Sequence, residues 1–177
     1  TAAAPILYTA YAGEKVVISG GVKLTPKWTR MEGGIYRTRV EPGLLFDQLF
    51  LDGQRQVLAR FPNYDPNESP YNGASPDAFS KSRAATWQNP AGGFIHAMHR
   101  HHWGGYHYRI TGKTSDGEVI YEGGWQNNRQ MGMHPKHRMV ENIREELDKP
   151  GEWFLDSKTN LLYFIPVNAS ALPTALV

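Results

Sequence analysis

A chain of 177 residues holds one domain, or one domain with a small structural appendage. Its 40% apolar and 20% charged residues exclude an intrinsically disordered chain, and no apolar stretch approaches the length of a membrane-spanning helix. A net charge of +2, spread without any long basic run, excludes nucleic acid as the partner, and the absence of cysteine excludes disulfides, thiol nucleophiles and thiolate metal sites.

The aromatic residues (nine Tyr, five Trp, seven Phe) and thirty glycines and prolines point to a turn-rich, all-β architecture. Ile6–Tyr11 alternates in the strand sense and Ala12-Gly13-Glu14 turns the chain. Lys15–Ser19 is a second short strand closed by Gly20-Gly21. Strands so short with so tight a corner suit one coil of a parallel β-helix better than an isolated hairpin. No basic segment followed by an apolar stretch precedes them, and position 1 is Thr, so a mature or excised segment is expected.

From about residue 24 the texture changes. Gly34–Val40 alternates apolar and polar as a half-buried strand does, and Asp52-Gly53 predicts a two-residue hairpin turn between Leu49–Leu51 and Val57–Ala59. Ser75-Pro76-Asp77 has the chemistry of a helix start and predicts a short helix through about residue 81. Strands are expected at Phe94–Met98, Tyr106–Thr111 and Glu118–Tyr121. Met139, Val140, Ile143 and Leu147 fall at helical spacing before Pro150-Gly151. Glu152–Asp156 and Leu161–Ile165 predict a hairpin around residues 157–160. The last stretch, Ala169–Val177, looks like the beginning of a further element.

Several phrases stand in a particular order: Pro5–Tyr8, Glu14–Gly21, Leu51-Asp52-Gly53, Ala59–Asn63, Trp103–Tyr108, Glu122–Arg129, Met139–Asn142, Pro150–Asp156 and Leu162-Tyr163-Phe164. Together they resemble bacterial right-handed parallel β-helix, pectate-lyase-like glycoside hydrolases over nearly the whole chain. The resemblance implies a mainly-β fold: a β-sandwich or barrel-like inserted domain with one or two short helices at residues 24–166. It implies that residues 1–23 are strands of the first β-helix coil and 167–177 a return strand to that helix. It also implies a secreted or periplasmic polysaccharide-degrading parent, whose β-helix remainder and whose polysaccharide or oligosaccharide are the partners. Catalytic carboxylates of such proteins belong to later coils, so no catalytic residue is assigned here.

The densest cluster of chemically able residues is His96–His107, with His96, His99, His101, His102 and His107. Imidazoles so close together allow a metal-dependent domain as one alternative. With no His-Glu-x-x-His motif and no cysteine, surface histidines with structural hydrogen bonds are preferred, and neither metal nor cofactor is assigned. A carbohydrate reading uses the same region. Sugar C–H faces pack on Trp87, Trp103, Tyr106 and Trp125, and His99, His102, Gln126, Asn127, Asn128 and Arg129 supply hydrogen bonds to hydroxyls. Gly104-Gly105 and Gly123-Gly124 would allow sharp turns or close backbone approach. Trp28 and Trp153 sit in strand-like runs and are expected in the core. Glu141, Glu145 and Glu146 suit a solvated helical face. Glu122 stands in a site-like setting without an evident carboxylate partner, which a glycosidase needs. A second alternative, a purely structural brace, requires Trp87, Trp103 and Trp125 all to be buried.

Overall fold

The computed structural model describes residues 3–125, 131–168 and 175–176, and among these it is mainly β. In chain order the strands are β1 (Thr29–Arg30), β2 (Tyr36–Arg39), β3 (Phe50–Leu51), β4 (Gln54–Arg55), β5 (Val57–Leu58) and β6 (Arg60–Phe61). They continue with β7 (Phe94–His99), β8 (Gly105–Lys113), β9 (Val119–Gly123), β10 (Met133–Glu141), β11 (Glu152–Asp156), β12 (Leu161–Phe164) and β13 (Ala175–Leu176). One short helix, α1 (Lys81–Ala84), and two 3-10 turns complete the described elements.

The strands form three sheets. The first has the order β1-β2-β12-β11-β5, the second β6-β10-β7-β8-β9, and a small third sheet β13-β3-β4. In the first, β11 pairs antiparallel with β12 and parallel with β5. Trp153, Leu155, Leu162 and Phe164 fill its core with Leu24, Val40, Leu49 and Leu51, and Phe46 stacks on Trp153 at 5.3 Å. Each such large apolar side chain contributes about 1.5–3 kcal/mol on burial. Trp28 packs half-buried against this cluster. The second sheet has its own core, where Ile95, Ile110 and Val140 meet Ala84 of α1, Trp87 and Ile143.

Several local expectations match the structure. Gly34–Val40 yields β2, with Tyr36 and Thr38 buried and Arg37 and Arg39 exposed. Asp52 and Gly53 both hold positive φ (50° and 76°) and join β3 to β4. This is the primed-turn geometry whose twist fits a two-residue hairpin. The β11–β12 hairpin turns through residues 157–160, with the Asp156 carboxylate accepting the Lys158 and Thr159 amides.

Other expectations are corrected. Val57–Leu58 does not fold back on Leu49–Leu51; β4 takes that place, and β5 joins β11. The helix expected from Ser75 begins later, because residues 75–80 form consecutive turns. Ser80 is the cap, accepting the Arg83 amide. No helix spans 139–147. Met139 and Val140 lie in β10, which ends at Glu141, and Asn142 sits at φ 55°, accepting the Leu155 amide on Oδ1 and donating Nδ2 to Gly92 O. A left-handed residue so anchored breaks helical continuity, and only a single 3-10 turn, Arg144–Glu146, follows.

Residues 6–19 form no strand, although both strands of a first coil were expected there. Their apolar side chains stand in solvent, with Ile18 at 97% exposure. A strand requires a hydrogen-bonded neighbour, and no described segment pairs with this one. The described part of the final stretch, β13, pairs with β3 rather than with residues 6–19.

Candidate functional site

A cleft of about 1140 Å³ opens between the first and second sheets. Strand alternation builds its polar wall. On β7, Ile95, Ala97 and His99 turn into the core, which leaves Phe94 and His96 on the opposite face. Register then places His107 opposite His96 and Arg109 opposite Phe94 on β8, and Met139 and Glu141 opposite His96 and Phe94 on β10. Val57, Leu58 and Leu155 form the apolar opposite wall, with Phe46 and Tyr64 at the edges.

His96 Nε2 lies 2.8 Å from Glu141 Oε1, and its Nδ1 lies 3.3 Å from Nδ1 of His107. Burial pushes the Glu141 carboxyl upward. The hydrogen bond and charge of His96, together with Arg60 and His107, outweigh burial and hold the carboxyl below its ordinary value. An ionised Glu141 only accepts, so Nε2 of His96 carries hydrogen and its Nδ1 can accept from Nδ1–H of His107. Burial, and then the neighbouring His96, lower the pKa of His107. The result is a carboxylate–imidazole–imidazole chain able to hold a proton or orient a hydroxyl ligand.

Arg60 is buried behind this chain. Nε donates to Pro62 O at 2.8 Å, and the two terminal nitrogens donate to Tyr71 O at 2.7 Å and Gly73 O at 2.9 Å. Its guanidinium thus shapes the 62–73 loop that carries Tyr64 and Asn72 to the cleft. Desolvation lowers its pKa, opposed by Glu141 and Glu152. Glu152 is almost fully buried, and desolvation raises its carboxyl to about 7, even though Oε2 accepts the Asp148 and Lys149 amides. A smaller groove of about 410 Å³ beside β1 and β2 is lined by Lys27, Arg37, Arg39 and three threonines, with no carboxylate or imidazole.

The residues expected from sequence to contact sugar divide sharply. Trp87 is 1% exposed and its Nε1 donates to Glu146 at 2.7 Å, so it is a core ring and not a platform. His99 and Tyr106 are likewise buried, with stacked rings 5.9 Å apart. Trp103 and Trp125 are 65% and 86% exposed. Both occupy one end of the second sheet: Trp103 in the β7–β8 connection, and Trp125 just past Gly123, which pairs with Tyr108. Gly124 has φ 68°, and an added Cβ would overlap the Tyr108 ring, so close approach there requires glycine. His102 belongs to the same end, beside His134 and His137. Gln126, Asn127, Asn128 and Arg129 lie outside the described residues.

The expectation of a solvated acidic face at residues 141–146 is corrected too. Glu141 lines the cleft, Glu145 accepts the Gln88 amide, and buried Glu146 accepts from Trp87 and Arg83. Glu122 is exposed on β9 opposite Arg109. Sequence reasoning missed Arg60, Arg109 and Glu141. The alternation of β7 was the available signal, since it sets His96 apart from Ile95 and Ala97.

No family model matches the chain, and no curated protein sequence does. Among solved structures, one titled "Glycoside hydrolase" shares the fold with a TM-score of 0.67 at 18% identity. The match covers 94% of this chain and 32% of that one, so this chain spans about a third of its structural neighbour's length.

Proposed function

We propose that this chain is a glycan-contacting accessory domain of a larger secreted or periplasmic glycoside hydrolase. The cleft between the sheets takes a polysaccharide segment or oligosaccharide, and Trp103 and Trp125 extend the contact at the sheet end. The observation that carries this reading is the lining of the cleft. Phe46, Phe94 and Tyr64 offer ring faces, while His96, His107, Arg109, Asn72 and Glu141 offer fixed donors and acceptors. Stacking surfaces combined with directed polar groups suit a sugar. The shared fold with a protein titled glycoside hydrolase supports the same class of ligand.

Binding fits the site better than hydrolysis. Glycoside cleavage needs two carboxyls, one of them kept protonated to serve as acid. Two carboxyls, Asp47 and Glu141, line the cleft; Glu141 is held below its ordinary value, and the carboxyl that burial raises to about 7, Glu152, lies outside the lining. The exposed apolar side chains of residues 6–18 support the assignment of this stretch to the scaffold of a β-helix parent. The brace alternative required three buried tryptophans, and the exposure of Trp103 and Trp125 counts against it.

Isothermal titration against plant, algal and host oligosaccharides tests the proposal. Binding to one class, weakened about tenfold or more by Arg109→Ala as for loss of a charged hydrogen bond, is the expected result. Absence of binding to every class overturns it.

A further inference from the structure

The sheet end carries a second group of imidazoles that the cleft does not use. The β7–β10 ladder pairs Met133 with His99 and then jumps to Arg138 with Ala97. Residues 134–137 therefore stand opposite Met98 alone, and this long bulge lifts His134 and His137 out of the ladder. Bulges of this kind re-aim side chains. The bulge is braced: His134 Nδ1 accepts the Lys136 and His137 amides at 3.1 Å each, and Arg138 Nε donates to His134 O at 2.7 Å.

His102 reaches the same point from the other side. It ends a turn in which its amide donates to His99 O at 2.8 Å, and it holds φ 60°, a left-handed conformation uncommon for a residue with a side chain. Its Nε2 comes within 3.0 Å of His137 Nδ1. Ring centroids are 4.7 Å apart for His102–His134, 4.8 Å for His102–His137 and 4.2 Å for His134–His137. One nitrogen from each ring falls within 4.8 Å of the others.

We propose that His102, His134 and His137 form a three-imidazole site for a borderline divalent transition ion such as Zn²⁺, Ni²⁺ or Cu²⁺, with its remaining positions open to water. Nitrogens bound to zinc at about 2.0–2.1 Å stand about 3.3 Å apart in tetrahedral geometry, within the range these three atoms span. The donors are all nitrogen, which selects against Mg²⁺ and Ca²⁺.

The bulge adds a signature specific to this chain. Nδ1 of His134 already accepts two amides, so its lone pair is engaged. Coordination through Nδ1 takes that lone pair, and coordination through Nε2 moves the ring proton onto Nδ1. Either way the Lys136 and His137 amides are released. Metal capture therefore loosens the bulge while tying it to the β7–β8 turn.

The test titrates ZnCl₂ and NiCl₂ into the untagged protein in a non-chelating buffer, alongside hydrogen exchange of the 134–138 amides. One ion per chain is expected, with faster exchange at Lys136 and His137 when it binds. His102→Gly, which keeps the left-handed backbone accessible, and His137→Ala are each expected to weaken binding on the order of a hundredfold, at least the loss seen for supporting groups around metal ligands. His101→Ala leaves it unchanged. Circular dichroism confirms the fold of each variant, and if one fails to fold, the other decides. The proposal is overturned by binding of less than about a tenth of an ion per chain at saturating metal, by variants that retain wild-type affinity, or by loss of binding in His101→Ala.

Discussion

Two groups of histidines lie on one sheet and are put to opposite uses. His96 and His107 occupy paired positions of a regular ladder, and Glu141 on the next strand meets His96 at 2.8 Å. His102, His134 and His137 sit in a turn and a bulge, outside the ladder, and among the described residues no carboxylate belongs to their group. The difference teaches that register supplies partners. A ladder position fixes which side chain stands beside an imidazole and so completes its bonding, whereas a bulge leaves imidazoles to face one another. The cleft group is built into the fold, and the sheet-end group is appended to it.

The contrast can be broken most forcefully at Arg60. Arg60→Met removes three hydrogen bonds, one of them buried and two part-buried, takes this donor from the carbonyls of Pro62, Tyr71 and Gly73 and leaves Glu141 less compensated. A loss of about 4 kcal/mol in urea unfolding is expected. Glu152 comes next. Its folded pKa of about 7 lies above its ordinary value, so the stability gained by burying the neutral acid is complete below the ordinary carboxylate range and lost as pH rises through about 7. Glu152→Gln should therefore match the parent at acidic pH and exceed it at pH 8 by an amount on the order of 3 kcal/mol. Paired urea melts at the two pH values measure this.

Glu141→Gln tests the ladder pairing itself. The lowered carboxyl stabilises the fold above its ordinary range, and this contribution fades as pH falls through the lowered value. The variant should lose about 2 kcal/mol near neutrality and converge with the parent in acid. His137→Ala should produce the smallest shift of the four in unfolding midpoint, because its imidazole contacts lie at an exposed sheet end. A large loss there would erase the distinction between the two groups.

Local chemistry was legible in the sequence wherever neighbours along the chain decide the outcome. The Asp52-Gly53 turn, the β11–β12 hairpin and the alternation of β2 and β7 all belong to this class. Met139, Val140, Ile143 and Leu147 misled because a strand end and a 3-10 turn, joined at left-handed Asn142, imitate helical spacing. The cleft was largely illegible, since Arg60, His96 and Glu141 come from three strands and meet only through register. The His102–His134–His137 group depends on a bulge with no marker in composition, and Trp87 gave no local sign that Glu146 would claim its indole nitrogen.

The nesting of the two larger sheets has a consequence for the order of folding. Every strand of the second sheet lies between Arg60 and Glu141, while the first sheet joins β1, β2 and β5 to β11 and β12, pairing Tyr36 with Phe164. All strands of the second sheet have been synthesised once residue 141 is added, whereas the first sheet needs the chain beyond it. Distant pairings close slowly because loop entropy is lost before contacts form. The core around Trp87 is therefore expected to form before the one around Trp153, so that burial of Trp153 would report completion of the fold.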